Sequence, residues 1–340
     1  MTARSALGVA MGLGVGGLVA ARLARASRAI EFAGMTVVMF GGSRGLGLVM
    51  ARELGAEGAR LVLIARDQNE LDYAEADLIE RGASVSTHVC DVRDRDQVEA
   101  TMGQVAREHD VIDVLINVAG VIQVGPFEHM TVADFDDAMR THFWGPLYTV
   151  FAALPYMRRA GARRIVNIAS IGGKLAVPHL LPYSASKFAL VGLSEGLHAE
   201  LAHDGFAVTT VCPGLMRTGS TYNAWFKGQH QREFAWFHVA DSTPGLSISA
   251  IRAARQIIDA CRHGDAELII TPSARAAVVL KALAPNLMAR AMTLANRLLP
   301  AADESRGNDA KSGWQSVSRL VPSPLTALAE RAILENNELP

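Results

Sequence analysis

The hydrophobic pattern divides the chain into three parts. Residues 5 to 21 (SALGVAMGLGVGGLVAA) carry no charge; Arg4 precedes them, and Arg22, Arg25 and Arg28 follow. As a helix this stretch is about 25 Å long, just short of a bilayer core of ~30 Å. Gly8, Gly12 and Gly16 recur every four residues, a spacing that lets membrane helices approach closely. Three readings compete: a retained membrane anchor, a cleaved signal peptide with Val19 and Ala21 flanking the cut, and an apolar tail packed on the protein. The anchor is preferred. The heavier basic flank is C-terminal, which places the rest of the chain in the cytoplasm; the alternative is a soluble cytoplasmic protein.

From residue 32 to 272 apolar runs alternate with amphipathic stretches. Strands are predicted at Thr36–Phe40, Leu61–Ala65, Val85–Cys90, Val114–Asn117, Arg164–Ala169, Val208–Cys212 and Leu268–Ile270. Helices are predicted from the glycine-rich turn to about Glu57, and over Asn69–Arg81, Asp96–Glu108, Val132–Ala153 and Tyr183–Ala202. Strand and helix alternating at this spacing imply an α/β fold with a doubly wound parallel sheet of about seven strands. Residues 273 to 340 form a third part. Ala274–Leu299 reads as one or two amphipathic helices broken near Pro285, Ala302–Gly313 as a polar flexible linker, and the tail as a short helix or disordered.

Composition changes this picture little. Half of the 340 residues are apolar, enough for a large core, and the net charge is -1, so no basic footprint points to nucleic acid. Cys90, Cys212 and Cys261 are odd in number and far apart, which suggests no disulfide framework, no metal knuckle and a reducing compartment.

The first chemical signal is Gly41-Gly42-Ser43-Arg44-Gly45-Leu46-Gly47, set between the first strand and its helix. Glycine there permits a tight turn and close approach of a pyrophosphate, and the N–H groups opening the helix then hold the anion. The second strand ends Ile64-Ala65-Arg66. An acidic residue at that place would bond the ribose 2′-OH of NAD, and Ala65 cannot. Arg66 and Arg44 can instead pair with the 2′-phosphate of NADP(H). The plain alternative, two solvated surface arginines, is less favoured for two residues at these two places.

Together these features resemble the short-chain dehydrogenase/reductase family, from about Phe32 to Thr271. The spacing of Gly41, Gly45 and Gly47 is similar to the family's glycine motif, with Phe40 in place of the usual Thr. Cys90-Asp91-Val92 resembles its adenine-binding segment, and Asn117-Val118-Ala119-Gly120 its Asn-Asn-Ala-Gly motif, with Val118 for the second Asn. Pro213-Gly214, then Met216 and Thr218, looks like the segment that meets the nicotinamide. The resemblance implies a Rossmann-type fold and a homo-oligomer, dimer or tetramer. It implies that Asp91 contacts the adenine amino group, that Asn117 helps fix the sheet and counts among the cofactor-binding residues, that Ala119 and Gly120 line the cofactor, and that Thr218 bonds the carboxamide.

Tyr183 and Lys187 stand four apart on a predicted helix and so share one face. A nearby ammonium should lower the phenol from its ordinary value near 10, which suits acid/base work. The resemblance gives Lys187 the nicotinamide ribose as well, and Ser170, thirteen residues before Tyr183, the reacting oxygen. Taken singly, each of these residues is commonly a packing or cap residue. One position departs from the family: His142 stands where an Asn often carries a water chain to the lysine. A lone histidine is more often a satisfied core residue, yet imidazole can relay protons. Beyond Thr218, Tyr222, Trp225, Phe226, Phe234, Trp236 and Phe237 fall within sixteen residues. An aromatic lid suggests a small apolar alcohol or ketone; the alternative is that these rings only pack the lid. The reading is an NADP(H)-dependent oxidoreductase interconverting a carbonyl and a secondary alcohol. A catalytically impaired NADP-binding or membrane scaffold, and a lyase or epimerase on the same fold, are the competing functions.

Overall fold

The computed structural model describes residues 20–243, 245–303, 307–317 and 326–339. Most of the predicted membrane anchor, residues 5–19, lies outside the described residues. Residues 20–26 are helical, and Arg25 clamps Asp259 and Asp265 at 2.6 and 2.7 Å. Among the described residues no helix is long and apolar enough to cross a membrane.

Seven strands form the sheet: β1 Thr36–Phe40, β2 Arg60–Ala65, β3 Ser84–Val89, β4 Val114–Asn117, β5 Arg164–Ile168, β6 Ala207–Cys212 and β7 Glu267–Ile269. Their order is 7-6-5-4-1-2-3 and every pairing is parallel. Alternate residues of β1 serve the two faces. Val37 and Met39 join a core with helix α1 (Gly45–Ala56), while Val38 and Phe40 face helix α3 (Arg95–His109). Helices cover both faces, which is why the inner strands read as unbroken apolar runs. The order reverses between β1 and β4. That leaves a crevice at the carboxyl ends of the strands, the place where open α/β sheets bind ligands.

Helix α2 (Gln68–Glu80) follows β2, and the stretch before β5 is a compound element. Helix α4 (Val132–Met139) passes through a π-helical turn, Arg140–Trp144, into α5 (Gly145–Met157). Such wide turns inside a helix often mark functional sites, and this one carries His142. Helix α6 (Leu181–Leu201) bears Tyr183 and Lys187. Helices α7 (His230–Ser242) and α8 (Ala250–His263) precede β7, and α9 (Pro272–Leu283) and α10 (Pro285–Asn296) break at Ala284, as expected. The C-terminal part ends in α11 (Ala327–Glu335).

The stretch predicted as a flexible linker is partly a strand. Lys311–Ser312 pairs antiparallel with Trp225–Phe226, which pairs on its other side with Gln123–Val124. A short polar segment takes its structure from the backbone groups of a partner strand, which its own sequence does not reveal.

Candidate active site

One cavity runs along the carboxyl edge of the sheet. Gly41, Ser43, Arg44, Gly45, Leu46 and Gly47 line it from the first turn, and Arg66 from the end of β2. Asp91, Val92, Ala119, Gly120, Pro213, Gly214 and Thr218 line it from the turns after later strands. Gly41 and Gly45 have left-handed φ of 96° and 55°, and a Cβ on Gly41 would overlap the backbone of Ala119. Glycine is therefore required where the loop meets the β4 turn. Ser170, Tyr183, Lys187 and His142 reach the same cavity.

Asn117 does not. Its Nδ2 donates to Asn167 Oδ1 at 2.9 Å, and its Oδ1 accepts from Thr149 Oγ1 at 2.7 Å. Asn167 Nδ2 donates to Ser194 Oγ at 3.0 Å, which also accepts from Thr210 Oγ1 at 2.8 Å. These side chains are all buried. They make a polar ladder across β4, β5 and β6, tied to α5 and α6. Asn117 is thus a brace of the sheet, and its placement among the cofactor-binding residues is corrected.

Ser170 follows β5 by two residues. Its Oγ accepts from Gly172 N–H at 3.0 Å, so it also caps the turn Ile171–Gly173. Burial pushes Tyr183 up from its ordinary value, and a hydrogen bond with Ser170 works against that rise. Lys187 does not bring the phenol down as expected. Its Nζ donates to Ile168 O at 2.8 Å and lies over the face of the Tyr183 ring, 5.6 Å from the centroid. Burial pushes Lys187 itself down to about 7.

His142 is fully buried. Ser186 Oγ donates to Tyr183 O at 2.8 Å. The 2.8 Å contact between Ser186 Oγ and His142 Nδ1 must then be donated by the ring. Nε2 accepts from Val121 N–H at 3.1 Å. Both ring nitrogens are engaged, and burial followed by the Lys187 charge holds the imidazole well below its ordinary value, hence neutral. No nitrogen is left to pass a proton, so of the two readings the geometry matches the satisfied core histidine rather than the relay.

At the end of the cavity beside β3, Arg93 bridges Asp91 and Asp137 at 2.7 and 2.6 Å, and hydrogen bonds from Arg93 hold the Asp91 carboxyl low. Arg66 is exposed. Arg44 pairs with Glu70 at 3.2 Å, and Ser43 Oγ donates to Glu70 Oε2 at 2.8 Å. Glu70, Asn223 and Glu338 also line the cavity and were not found by sequence reasoning. Glu70 had a signal: it lies in the first turn of α2, four residues past Arg66. Glu338 had none.

The aromatic cluster divides. Tyr222, Phe226, Phe234 and Phe237 are buried together, with Trp236 against them; Trp225 alone of the six lines the cavity. Packing explains most of the cluster, and the apolar-lid argument narrows to Trp225 beside Val121, Ile122 and Ala224.

A crevice at the strand reversal, a glycine-rich turn and a Ser–Tyr–Lys set define an oxidoreductase of the α/β nucleotide-binding class. A family model described as short chain dehydrogenase matches residues 35–227. Dehydrogenase/reductase SDR family member 7B of Danio rerio is 30% identical over 299 residues, covering 83% of this chain and 95% of its own. A putative ketoacyl reductase of Streptomyces coelicolor is 38% identical over 180 residues, 52% of this chain and 69% of its own. Among solved structures, an actinorhodin polyketide ketoreductase with NADPH is 29% identical with a TM-score of 0.64, covering 72% of this chain and 98% of that one. Levodione reductase is 26% identical with a TM-score of 0.62, covering 71% and 97%. The chain belongs to the short-chain dehydrogenase/reductase family.

Proposed function

We propose that the protein is an NADP(H)-dependent reductase that interconverts a carbonyl and a secondary alcohol on an apolar substrate. The observation that carries this is the meeting of Ser170, Tyr183 and Lys187 on one cavity whose wall also bears Arg44 and Arg66. What supports a dinucleotide is the glycine turn that opens a helix, together with two guanidinium groups on the cavity wall able to meet a 2′-phosphate. When bound, the dinucleotide supplies or accepts the hydride. The chain's own residues manage the oxygen. Tyr183, raised by burial, is protonated at neutral pH and donates its proton to the carbonyl oxygen, while the Ser170 hydroxyl orients that oxygen. Lys187 sits behind the phenol, and His142 braces the α6 turn through Ser186. The ketoreductase relative and the NADPH-bound ketoreductase structure support the same reading. The test is NADPH oxidation with a panel of ketones, for wild type and Tyr183→Phe. Turnover in wild type with none in the variant, at similar NADPH affinity, is expected; undiminished kcat in the variant would refute the assignment.

We also propose that α9 and α10 rest on an anionic membrane. Leu283 and Leu298 are 81% and 82% exposed. Residues 272–299 hold Arg275, Lys281, Arg290 and Arg297 and no acidic residue. Leucines with basic neighbours suit an interfacial helix pair. Flotation with anionic vesicles should retain wild type and lose Leu283→Glu/Leu298→Glu; equal flotation of both would reject the surface.

A further inference from the structure

The segment after α11 lies across the glycine-rich loop. Gly45 N–H donates to Asn336 O at 2.8 Å, and Asn337 Nδ2 donates to Ser43 O at 3.0 Å and to Glu70 O at 3.2 Å. On the opposite wall, Asn336 Nδ2 donates to Thr218 O at 3.1 Å, and Asn223 Nδ2 donates to Glu338 Oε2 at 2.6 Å. Arg52 anchors the stem by donating to Glu335 O at 2.7 Å. Asn336 and Glu338 are buried, and Glu338 lines the cavity. A Cβ built on Gly45 would overlap Glu338 Oε1, so the carboxylate sits in the space that this glycine keeps clear. Arg44 Nε lies 4.0 Å from its other oxygen.

The start of α1 is the part of the fold that attracts an anion. Here a peptide carbonyl takes the Gly45 N–H, and a carboxylate stands over the same turn. The segment also joins the two walls, the glycine loop and the Thr218–Asn223 stretch, that a bound diphosphate would have to pass between. A diphosphate and this segment need the same space and the same N–H donor. We propose that residues 336–338 are a built-in competitor for the cofactor diphosphate, and that the dinucleotide binds only when this segment lifts from the loop. The proposal rests on the dinucleotide reading above and adds a regulatory contact to it. If the segment is docked for nine-tenths of the time or more, apparent affinity is reduced about tenfold or more.

The test compares wild type, a chain ending at Glu335, and full-length Asn337→Ala/Glu338→Ala, with NADPH and NADH affinity read by fluorescence titration. The second variant guards against a folding defect in the first. Hydrogen exchange on wild type follows the amides of Asn336 and Glu338, which donate to Ala332 O and Ile333 O at 3.0 Å. The expected result is about tenfold tighter NADPH binding in both variants, with the wild-type amides losing protection when NADPH is added. Unchanged or weaker binding in the variants would overturn the proposal, as would amides that gain protection, since the segment would then close over the cofactor. If no form bound either dinucleotide, the cofactor reading would fail and this proposal with it. Tight binding that ignores the segment would sink this proposal alone.

Discussion

Replacing Asn117 with Ala separates a brace from a cofactor ligand. In the structure, Asn117 links β4 to β5 through Asn167 and to α5 through Thr149. Thr149 keeps a second acceptor, Pro146 O at 2.9 Å, so its hydroxyl stays satisfied. Asn167 Oδ1 loses its donor inside a dry core, where an unsatisfied polar atom costs about 1–3 kcal/mol. The net loss of the two bonds adds about 1 kcal/mol, for a total near 2–4 kcal/mol. For a domain of this size each kcal/mol lowers Tm by about 2–4 °C, so a fall of roughly 4–16 °C is expected. NADPH affinity of the folded variant should stay within about threefold, because Asn117 does not reach the cavity. The assay is a thermal melt beside a fluorescence titration at a temperature where both forms are folded. An unchanged Tm with tenfold weaker NADPH binding would show that the ladder argument is wrong and that Asn117 serves the cofactor.

Three further outcomes follow from the site. Wild type should prefer NADPH to NADH in kcat/KM, and Arg66→Asp should shift that ratio toward NADH by tenfold or more, since one phosphate contact is lost and a repulsion gained; equal use of both by wild type refutes this. His142→Asn should leave the acid limb of the kcat–pH profile in place, because a neutral, doubly bonded ring does not titrate there; a moved limb would restore the relay. Lys187 is held down to about 7 from 10.5, so between those values the unfolded chain binds more protons than the native one. Its contribution to stability therefore rises with pH across that window. Melts at pH 7 and pH 9 should show wild type gaining on Lys187→Met, and a pH-independent difference between them would contradict the burial argument.

The sheet was legible because parallel strands covered on both faces must be apolar throughout. Thr36–Phe40 and Val114–Asn117 match the predicted bounds to the residue, and the others fall within a residue or two. The cavity wall was legible for the same topological reason: residues at the carboxyl ends of those strands converge. What escaped depends on partners distant in sequence. Asn117 looks like a cofactor residue until Asn167 and Thr149 stand beside it. The aromatic run after Thr218 looks like a lid until most of it proves to pack on itself. Lys311–Ser312 has no strand pattern of its own, and Glu338 stands 293 positions from the glycine whose space it fills.

The short sheet of Gln123–Val124, Trp225–Phe226 and Lys311–Ser312 bears on how the proposed reductase would choose its substrate. Trp225 is on its middle strand, with backbone bonds to a neighbour on each side. The backbone that carries this ring cannot shift without breaking two ladders at once, so the position of that wall is set before any molecule arrives, while the half-exposed ring keeps its own rotamer freedom. If the reductase proposal holds, selection at Trp225 is then by where this fixed backbone sets the ring rather than by a loop folding around the guest. Little ordering entropy is lost on docking, and poor fits are rejected by collision. On that proposal, changing which ketone is accepted should require recarving the wall itself, at Trp225, Ile122 or Ala224, rather than loosening the surrounding loops.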